Sequence, residues 1–214
     1  MKRELEVMSA IRDAFVIGTK NAASLLITVI LYVLTIWIPY LNVGTTIAMN
    51  TIPRKLASGE IINPTFIFDS IYRRKMGSYF LLQGFLAMMI IPAILFLIIP
   101  ALVLSFMYSL SLYIMLDDDT TPTEALERSN KATYGFKWKI FGVKFLFFIV
   151  LSVAASIIGY IFGLIGSDFL SGLATVCIIV VAITCAYAIE AVIYRNLYLR
   201  PNAQNEEESV AETA

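Results

Sequence analysis

The chain has 214 residues, of which 59% are hydrophobic and 15% charged, and its formal net charge is zero. Soluble domains are about 45–50% apolar and about 25% charged, so this composition excludes an ordinary water-soluble fold and predicts an integral membrane protein. Histidine is absent, which removes the usual general base near neutral pH and the commonest metal ligand. No nucleotide-binding, hydrolase, cysteine-metal or nucleic-acid motif is present either, so we expect no enzyme activity, no cofactor and no nucleic-acid partner.

The apolar runs come in pairs, and the basic residues cluster outside them in segments 2–20, 54–75 and 128–144. Cytoplasmic loops are enriched in Lys and Arg, so all three segments are expected on the cytoplasmic side together with both termini. The pattern predicts an all-α polytopic bundle of about six membrane segments in three hairpins. The predicted hairpins cover residues 22–52, 79–116 and 140–193.

Apolar residues recur at helical spacing from Leu5 to Phe15, which predicts an amphipathic helix within 1–20 lying at the membrane interface. Residues 22–38 form the first predicted membrane span, and Pro39 ends it. Residues 41–52 are short and partly polar. They either continue one long kinked helix or return as a second arm that packs inside the bundle. Because the segments before and after this region are both basic, the second arm is favoured.

The second hairpin is predicted to join arms 79–98 and 101–116 at Pro100, with Pro92 inside the first arm. The third is predicted to join arms 140–164 and 169–193 through a turn at 166–168. Residues 1–200 are thus expected to form one membrane domain. Residues 201–214 are polar and acidic, which predicts a disordered tail.

Two segments before the later hairpins share a pattern at an offset of 58 residues, from Pro64 to Pro122. Each has an N-cap residue, a proline at the first helical position and a later glycine, Gly77 or Gly135. The N-terminal helix with Gly18 is a weaker third copy. The sequence therefore predicts a short interfacial helix before each hairpin, a repeat found in transporters and in plain structural bundles.

Three polar residues within the apolar segments are candidate functional groups. Glu190 shares a helix face with Ala182 and Ala186, which predicts that it faces protein. An ionisable group at membrane depth is a functional hypothesis by default, although pairing with a basic residue of a neighbouring loop is favoured. Asn50 and Gln83 would either line a polar interior or bind neighbouring helices together.

Two further patterns have a structural and a functional interpretation. Asp117–Asp119 would suit a divalent cation, but a solvated junction before a helix N-terminus is favoured. Ala155, Gly159 and Gly163 follow small-xxx-small spacing, which indicates close helix packing. Packing within the bundle is favoured over a homo-oligomer contact.

The basic loops are the leading candidate for lipid or partner contact, because each cation near an anionic membrane surface contributes about 1 kcal/mol. Ordinary orientation by the positive-inside rule explains most of them equally well. The candidate contact residues are Arg54, Lys55, Arg73, Arg74, Lys75, Lys137, Trp138 and Lys139.

The second half of the chain carries short motifs that suggest a family. They are Pro100, Tyr113-Ile114-Met115-Leu116-Asp117, Glu124-Ala125-Leu126 with Ser129, Gly135-Phe136-Lys137, Tyr187 and Tyr194-Arg195-Asn196-Leu197. This pattern resembles the membrane-domain family associated with some glycerophosphodiester phosphodiesterases and the related YciC-like bacterial proteins. The resemblance implies a multi-helix bacterial inner-membrane protein. It does not imply phosphodiesterase activity, since the chemistry of those enzymes belongs to a separate soluble domain.

Taken together, the sequence predicts a non-enzymatic protein of the bacterial cytoplasmic membrane. Its basic cytoplasmic face is expected to organise anionic lipids or a partner protein, with a homo-oligomer as a further prospect. The alternative is a small transporter or permease subunit with a polar path near Glu190. A lipid-modifying enzyme ranks third.

Overall fold

The computed structural model describes residues 5–164 and 168–204, and all regular structure in these two ranges is helical. The helices are α1 (Val7–Thr35), α2 (Leu41–Asn50), α3 (Ile52–Ala57), α4 (Ser70–Arg74), α5 (Met76–Phe96), α6 (Ile98–Met107), α7 (Ser111–Asp117), α8 (Pro122–Thr133), α9 (Lys137–Leu164) and α10 (Asp168–Tyr194). A 3₁₀ turn (Pro64–Phe68) precedes α4, and a π-helical turn (Arg195–Leu199) follows α10.

Within residues 5–164 and 168–204, five helical stretches are long and apolar enough to cross a membrane. They are Val7–Thr35, Met76–Phe96, Ile98–Asp117, Lys137–Leu164 and Ile178–Gln204. The prediction of an all-helical, multi-pass membrane protein is therefore confirmed at this level.

The first helix is continuous, which corrects the prediction of a separate interfacial helix and a span over 22–38. α1 has 29 residues. Asn21 in its middle is accommodated because its side-chain NH₂ donates to the Ile17 carbonyl at 3.1 Å and its side-chain oxygen accepts from the Ile62 backbone at 3.3 Å. Gly18 lies inside α1 against Thr184 of α10, so it is a packing position and does not end a repeat unit.

After a turn at 36–40 the chain folds back, and α2 runs along α1. The Thr35 hydroxyl donates to that of Thr45, and the hydroxyls of Tyr32 and Thr46 are 3.2 Å apart. α2 has 10 residues, or about 15 Å of helix, which is half the hydrocarbon core. It is accordingly not among the five candidate spans, and its burial fits the interpretation of an inner arm.

The break between α5 and α6 lies at Leu97, and not at Pro100 as predicted. Leu97 is extended, with φ −165° and ψ 141°. Pro100 occupies the first turn of α6, where a backbone N–H has no partner within the helix and its loss costs little. Pro92 lies inside α5 without ending it.

The two predicted capped helices differ in the structure. At α8 the Thr121 hydroxyl accepts from the Glu124 backbone at 3.4 Å, and Gly135 beyond its end has a φ of +80°. The first copy is instead divided, because the Asp69 side chain accepts from the Ile71 backbone at 3.1 Å and starts a second short helix, α4. Gly77 lies within α5, so the prediction that this glycine follows the end of a capped helix is wrong.

The core lies toward one end of the bundle, which we call the loop end. This end comprises α3, α4, α7, α8 and the connections between them, with the C-terminal half of α10 at its centre. The core also includes buried residues of α1 and α2, such as Ala14 and Ile47. The opposite end of α5, α6 and α9 is called the far end. The turn predicted at 166–168 falls largely outside the described residues, as does most of the predicted tail, although residues 201–204 are still helical.

Candidate functional site

Three consecutive aspartates at the end of α7 connect the elements of the loop end, and we call them the aspartate cluster. Asp117 pairs with Arg54 of α3 and Asp119 with Lys75 after α4. Asp118 pairs with Arg128 of α8 at 2.5 Å. The cluster therefore joins α8, which follows it in sequence, to α3 and the end of α4, which are more than 40 residues away.

Tyrosines from the end of α10 complete the aspartate cluster. The Tyr194 hydroxyl donates to Asp117 at 2.6 Å, and the Tyr198 hydroxyl donates to Asp118. The two rings stack at 5.5 Å, and Tyr113 of α7 meets Tyr194 edge-on at 5.3 Å. Tyr194 is fully buried, so its hydroxyl fixes α10 against the end of α7.

The aspartate cluster is more than the solvated junction that the sequence favoured. The side chains of Asp117 and Asp118 are only 23% and 30% exposed. In the described ranges no group of three or more His, Cys, Asp or Glu side chains could hold a metal ion, so the cation-site interpretation gains no support. In the sequence, the signal for this cluster is a run of acids that lies between two basic segments.

The cluster also accounts for part of the predicted basic face. Burial lowers the pKa of the Arg54 guanidinium, but the charge and hydrogen bond of Asp117 outweigh this effect and raise the pKa overall. Lys55 pairs with Glu60 at 2.9 Å, and this hydrogen bond lowers the pKa of the Glu60 carboxyl. Arg54, Lys55 and Lys75 thus serve internal ion pairs.

The remaining candidates form a second group. Arg73 donates to the Phe68 carbonyl at 3.3 Å. Within the described part of the chain, Arg74, Lys137 and Lys139 have no carboxylate partner. Arg74 and Lys139 are exposed, as is Trp138 at 78%, and we call Arg74, Lys137, Trp138 and Lys139 the open basic edge.

Glu190 is paired, but with a helix and not with a loop. Its carboxylate meets the Lys144 ammonium of α9 at 2.5 Å, and its second oxygen is buried without a hydrogen bond. Ala186, predicted to mark the contact face, is exposed, whereas Ala188 and Ala191 are buried. The prediction of a small-residue contact at Ala186 is therefore wrong.

Asn50 and Gln83 come together in a polar cavity of about 230 Å³ between α2, α5, α6 and α7. The Asn50 amide donates to the Tyr79 hydroxyl at 3.2 Å. Other polar lining residues are Ser105, Tyr108, Ser109, Ser111 and Tyr113. Glu190 does not line this cavity, so the three predicted intramembrane residues do not form one site.

The small residues of α9 do not pack inside the bundle. A Cβ added at Gly159 or Gly163 would meet nothing within 4 Å. Among the described residues, the favoured interpretation as an internal packing face is therefore wrong for Gly159 and Gly163, whereas Ala155 is half-buried. The face is open to lipid or to another molecule.

The helices and their exposed apolar surface define a multi-pass α-helical membrane protein. No family model, curated protein or solved structure matches the chain. The resemblance to the YciC-like membrane proteins therefore stays a prediction.

Proposed function

We propose that the chain is a non-enzymatic protein of the bacterial cytoplasmic membrane, with both termini in the cytoplasm, that organises anionic lipids. The observation that supports this most is the division of its basic residues. Arg54, Lys55 and Lys75 neutralise acids of the same chain. Among the described residues the cations of the open basic edge have no carboxylate partner, and the exposed Trp138 lies between Lys137 and Lys139 in sequence.

Such an edge suits a membrane surface for two reasons. Cations near an anionic leaflet gain about 1 kcal/mol each, and tryptophan is enriched where the headgroups meet the acyl chains. Positive charges already used in internal pairs would add little, so the proposal narrows the predicted basic face to Arg74, Lys137 and Lys139. Trp138 supplies the interfacial anchor.

The test is headgroup selectivity in nanodiscs of equal phosphatidylglycerol and phosphatidylcholine. We expect the protein to enrich phosphatidylglycerol among the lipids that it retains. The variant Arg74→Gln/Lys137→Gln/Lys139→Gln should lose this enrichment, while Lys131→Gln, a paired cation on α8, should keep it. Equal retention of both lipids by the wild type would refute the proposal, and a co-purified protein would favour the partner alternative.

A small transporter or permease subunit is the second candidate, and the polar cavity supports it. A water-sized or slightly larger polar solute would find hydroxyl and amide groups there, next to Asn50 and Gln83. In proteoliposomes, Gln83→Leu should abolish solute flux if the cavity is on the path. Glu190→Gln should abolish flux as well if the path continues to Glu190, whereas a lipid-organising protein would show only altered stability.

A further inference from the structure

An apolar groove of about 430 Å³ lies between α6 and the first turns of α9. Leu102, Val103 and Phe106 of α6 and Phe141 of α9 form its walls. The volume falls within the range of about 300–1,000 Å³ that is typical of ligand sites. Along α6 the groove extends from Phe106 to Ile99, which is about 10 Å of helix.

The groove opens toward the surface that faces lipid. Ile99 and Leu102 on its walls are 67% and 42% exposed. No described part of the chain fills the groove. Exposed apolar side chains on a membrane-spanning helix are surrounded by the acyl chains of lipids. Its apolar walls match a hydrocarbon occupant.

The mouth of the groove at the loop end has a different character. Lys137, Tyr134 and Trp138 line it there, and the two aromatic rings are 76% and 78% exposed. Gly135, with φ +80°, makes the turn from α8 into α9 that brings these residues to the mouth. Tyrosine, tryptophan and lysine together are typical of the headgroup level of a membrane.

We propose that this groove binds one anionic phospholipid, with an acyl chain between α6 and α9 and the phosphate at the Lys137 ammonium. The argument combines an apolar channel with a cation that has no carboxylate partner among the described residues. A free anion would have no use for the apolar walls. The inference rests on the proposed function and names one site for it.

The two neighbouring lysines allow a matched charge test. Lys137 lines the groove, whereas the Lys139 ammonium lies over the Phe136 ring at 5.4 Å and is not among the groove residues. Lys137→Gln and Lys139→Gln thus remove the same charge two positions apart. A groove site predicts different results for them, and a diffuse basic surface predicts equal results.

Two valines allow a matched steric test. Val103 lines the groove, whereas Val150 is a 53% exposed residue of α9 outside it. Val103→Trp would fill the groove, and Val150→Trp adds the same bulk to an open helix surface. Because both positions face outward, neither change should prevent folding, and thermal unfolding in detergent checks this.

The experiment is native mass spectrometry of each variant titrated with phosphatidylglycerol or phosphatidylcholine of equal chain length. We expect the wild type to retain one phosphatidylglycerol preferentially. Lys137→Gln should weaken this binding about fivefold, the factor for one cation at a charged interface. Val103→Trp should abolish it, and Lys139→Gln and Val150→Trp should leave it near the wild-type value.

The outcomes separate this inference from the proposed function. Val103→Trp could retain the lipid, while Lys137→Gln and Lys139→Gln reduce phosphatidylglycerol enrichment equally. That result would refute the groove as the binding site and leave the proposed function standing. Equal binding of both headgroups by the wild type, with loss of both in Val103→Trp, keeps the groove as a lipid site but overturns the anionic assignment and, with it, the proposed function.

Discussion

The loop end and the far end of the bundle are built in different ways. At the loop end Leu56, Ile114 and Tyr194 are fully buried, and ion pairs cross between helices. At the far end Leu95 and Phe96 are 82% and 84% exposed. The bundle is thus tightly packed where its loops gather and open where its apolar helices end.

The difference follows from the surroundings of the two ends. Charged and polar groups near the membrane surface must be paired or solvated, so the loop end needs specific partners. Lipid is as apolar as leucine and gives little drive for helices to associate. The far ends of α5, α6 and α9 can therefore leave their apolar side chains exposed, and we expect stability to depend chiefly on the loop end.

The largest expected effect is that of Tyr194→Ala. It removes a buried ring and the hydrogen bond to Asp117, and loss of a buried aromatic side chain typically costs about 3–5 kcal/mol. The matched far-end change is Tyr160→Ala, at a residue that is 71% exposed. Unfolding of the detergent-solubilised protein should show a large loss for the first variant and little for the second. Equal losses would contradict the comparison.

Removal of one charge from the aspartate cluster should have the next largest effect. Asp117→Asn leaves the partly buried Arg54 guanidinium without its carboxylate, at an expected cost of about 1–3 kcal/mol. Glu127→Gln breaks the exposed pair with Lys131 on α8 and should change little. Adding Arg54→Met to Asp117→Asn should recover part of the loss, since the unpaired charge is then gone. No recovery in this double variant would argue against the ion pair.

Two glycines allow a matched test of packing between the contact of α1 with α10 and the open face of α9. A side chain at Gly18 would face Cys185, Thr184 and Ala188, whose atoms lie 3.5–3.7 Å from an added Cβ. Gly18→Ala should fit, but Gly18→Leu should overpack the contact between α1 and α10 and cost about 1–3 kcal/mol. Gly159→Leu, on the open face of α9, should be tolerated. A stable Gly18→Leu variant would mean that α1 and α10 are less tightly packed.

The smallest effect concerns Glu60, whose pKa is lowered from 4.5 by Lys55. A carboxyl with a lowered folded-state pKa stabilises the fold above its ordinary pKa, and this contribution is lost as the pH falls through the lowered value. The Glu60 side chain is 54% exposed, so screening leaves about 0.2–0.5 kcal/mol. The difference in Tm between Glu60→Gln and the wild type should therefore shrink between pH 7 and about pH 3. A difference independent of pH would exclude the ion pair as its source.

The sequence predicted which residues are candidates for the functional site, but not which of them lie together. The residues of the open basic edge and the polar residues Asn50 and Gln83 stand out in the sequence by charge or polarity. Their grouping does not, because Asn50 and Gln83 meet only through the packing of α2 against α5. The pairing of Glu190 with Lys144 likewise depends on how α10 lies against α9.

The fold was predictable wherever a local pattern was decisive. Long apolar runs located α5 and α9, and Thr121 with Pro122 located the start of α8. The errors arose where two local signals competed. Pro100 suggested a break, but it lies in the first turn of α6, where a proline is tolerated. The change from an amphipathic to an apolar pattern near residue 21 suggested two segments, but α1 is one continuous helix.

The sequence by itself determined that this is a helical, multi-pass membrane protein, because hydropathy, helical length and capping are properties of neighbouring residues. Only the tertiary structure decided which charges remain available. Arg54 and Asp117 are 63 residues apart in sequence, and their pairing depends on the position of α3 beside α7. The same packing leaves Lys137 at the mouth of an apolar groove, where no acid of the described residues pairs with it.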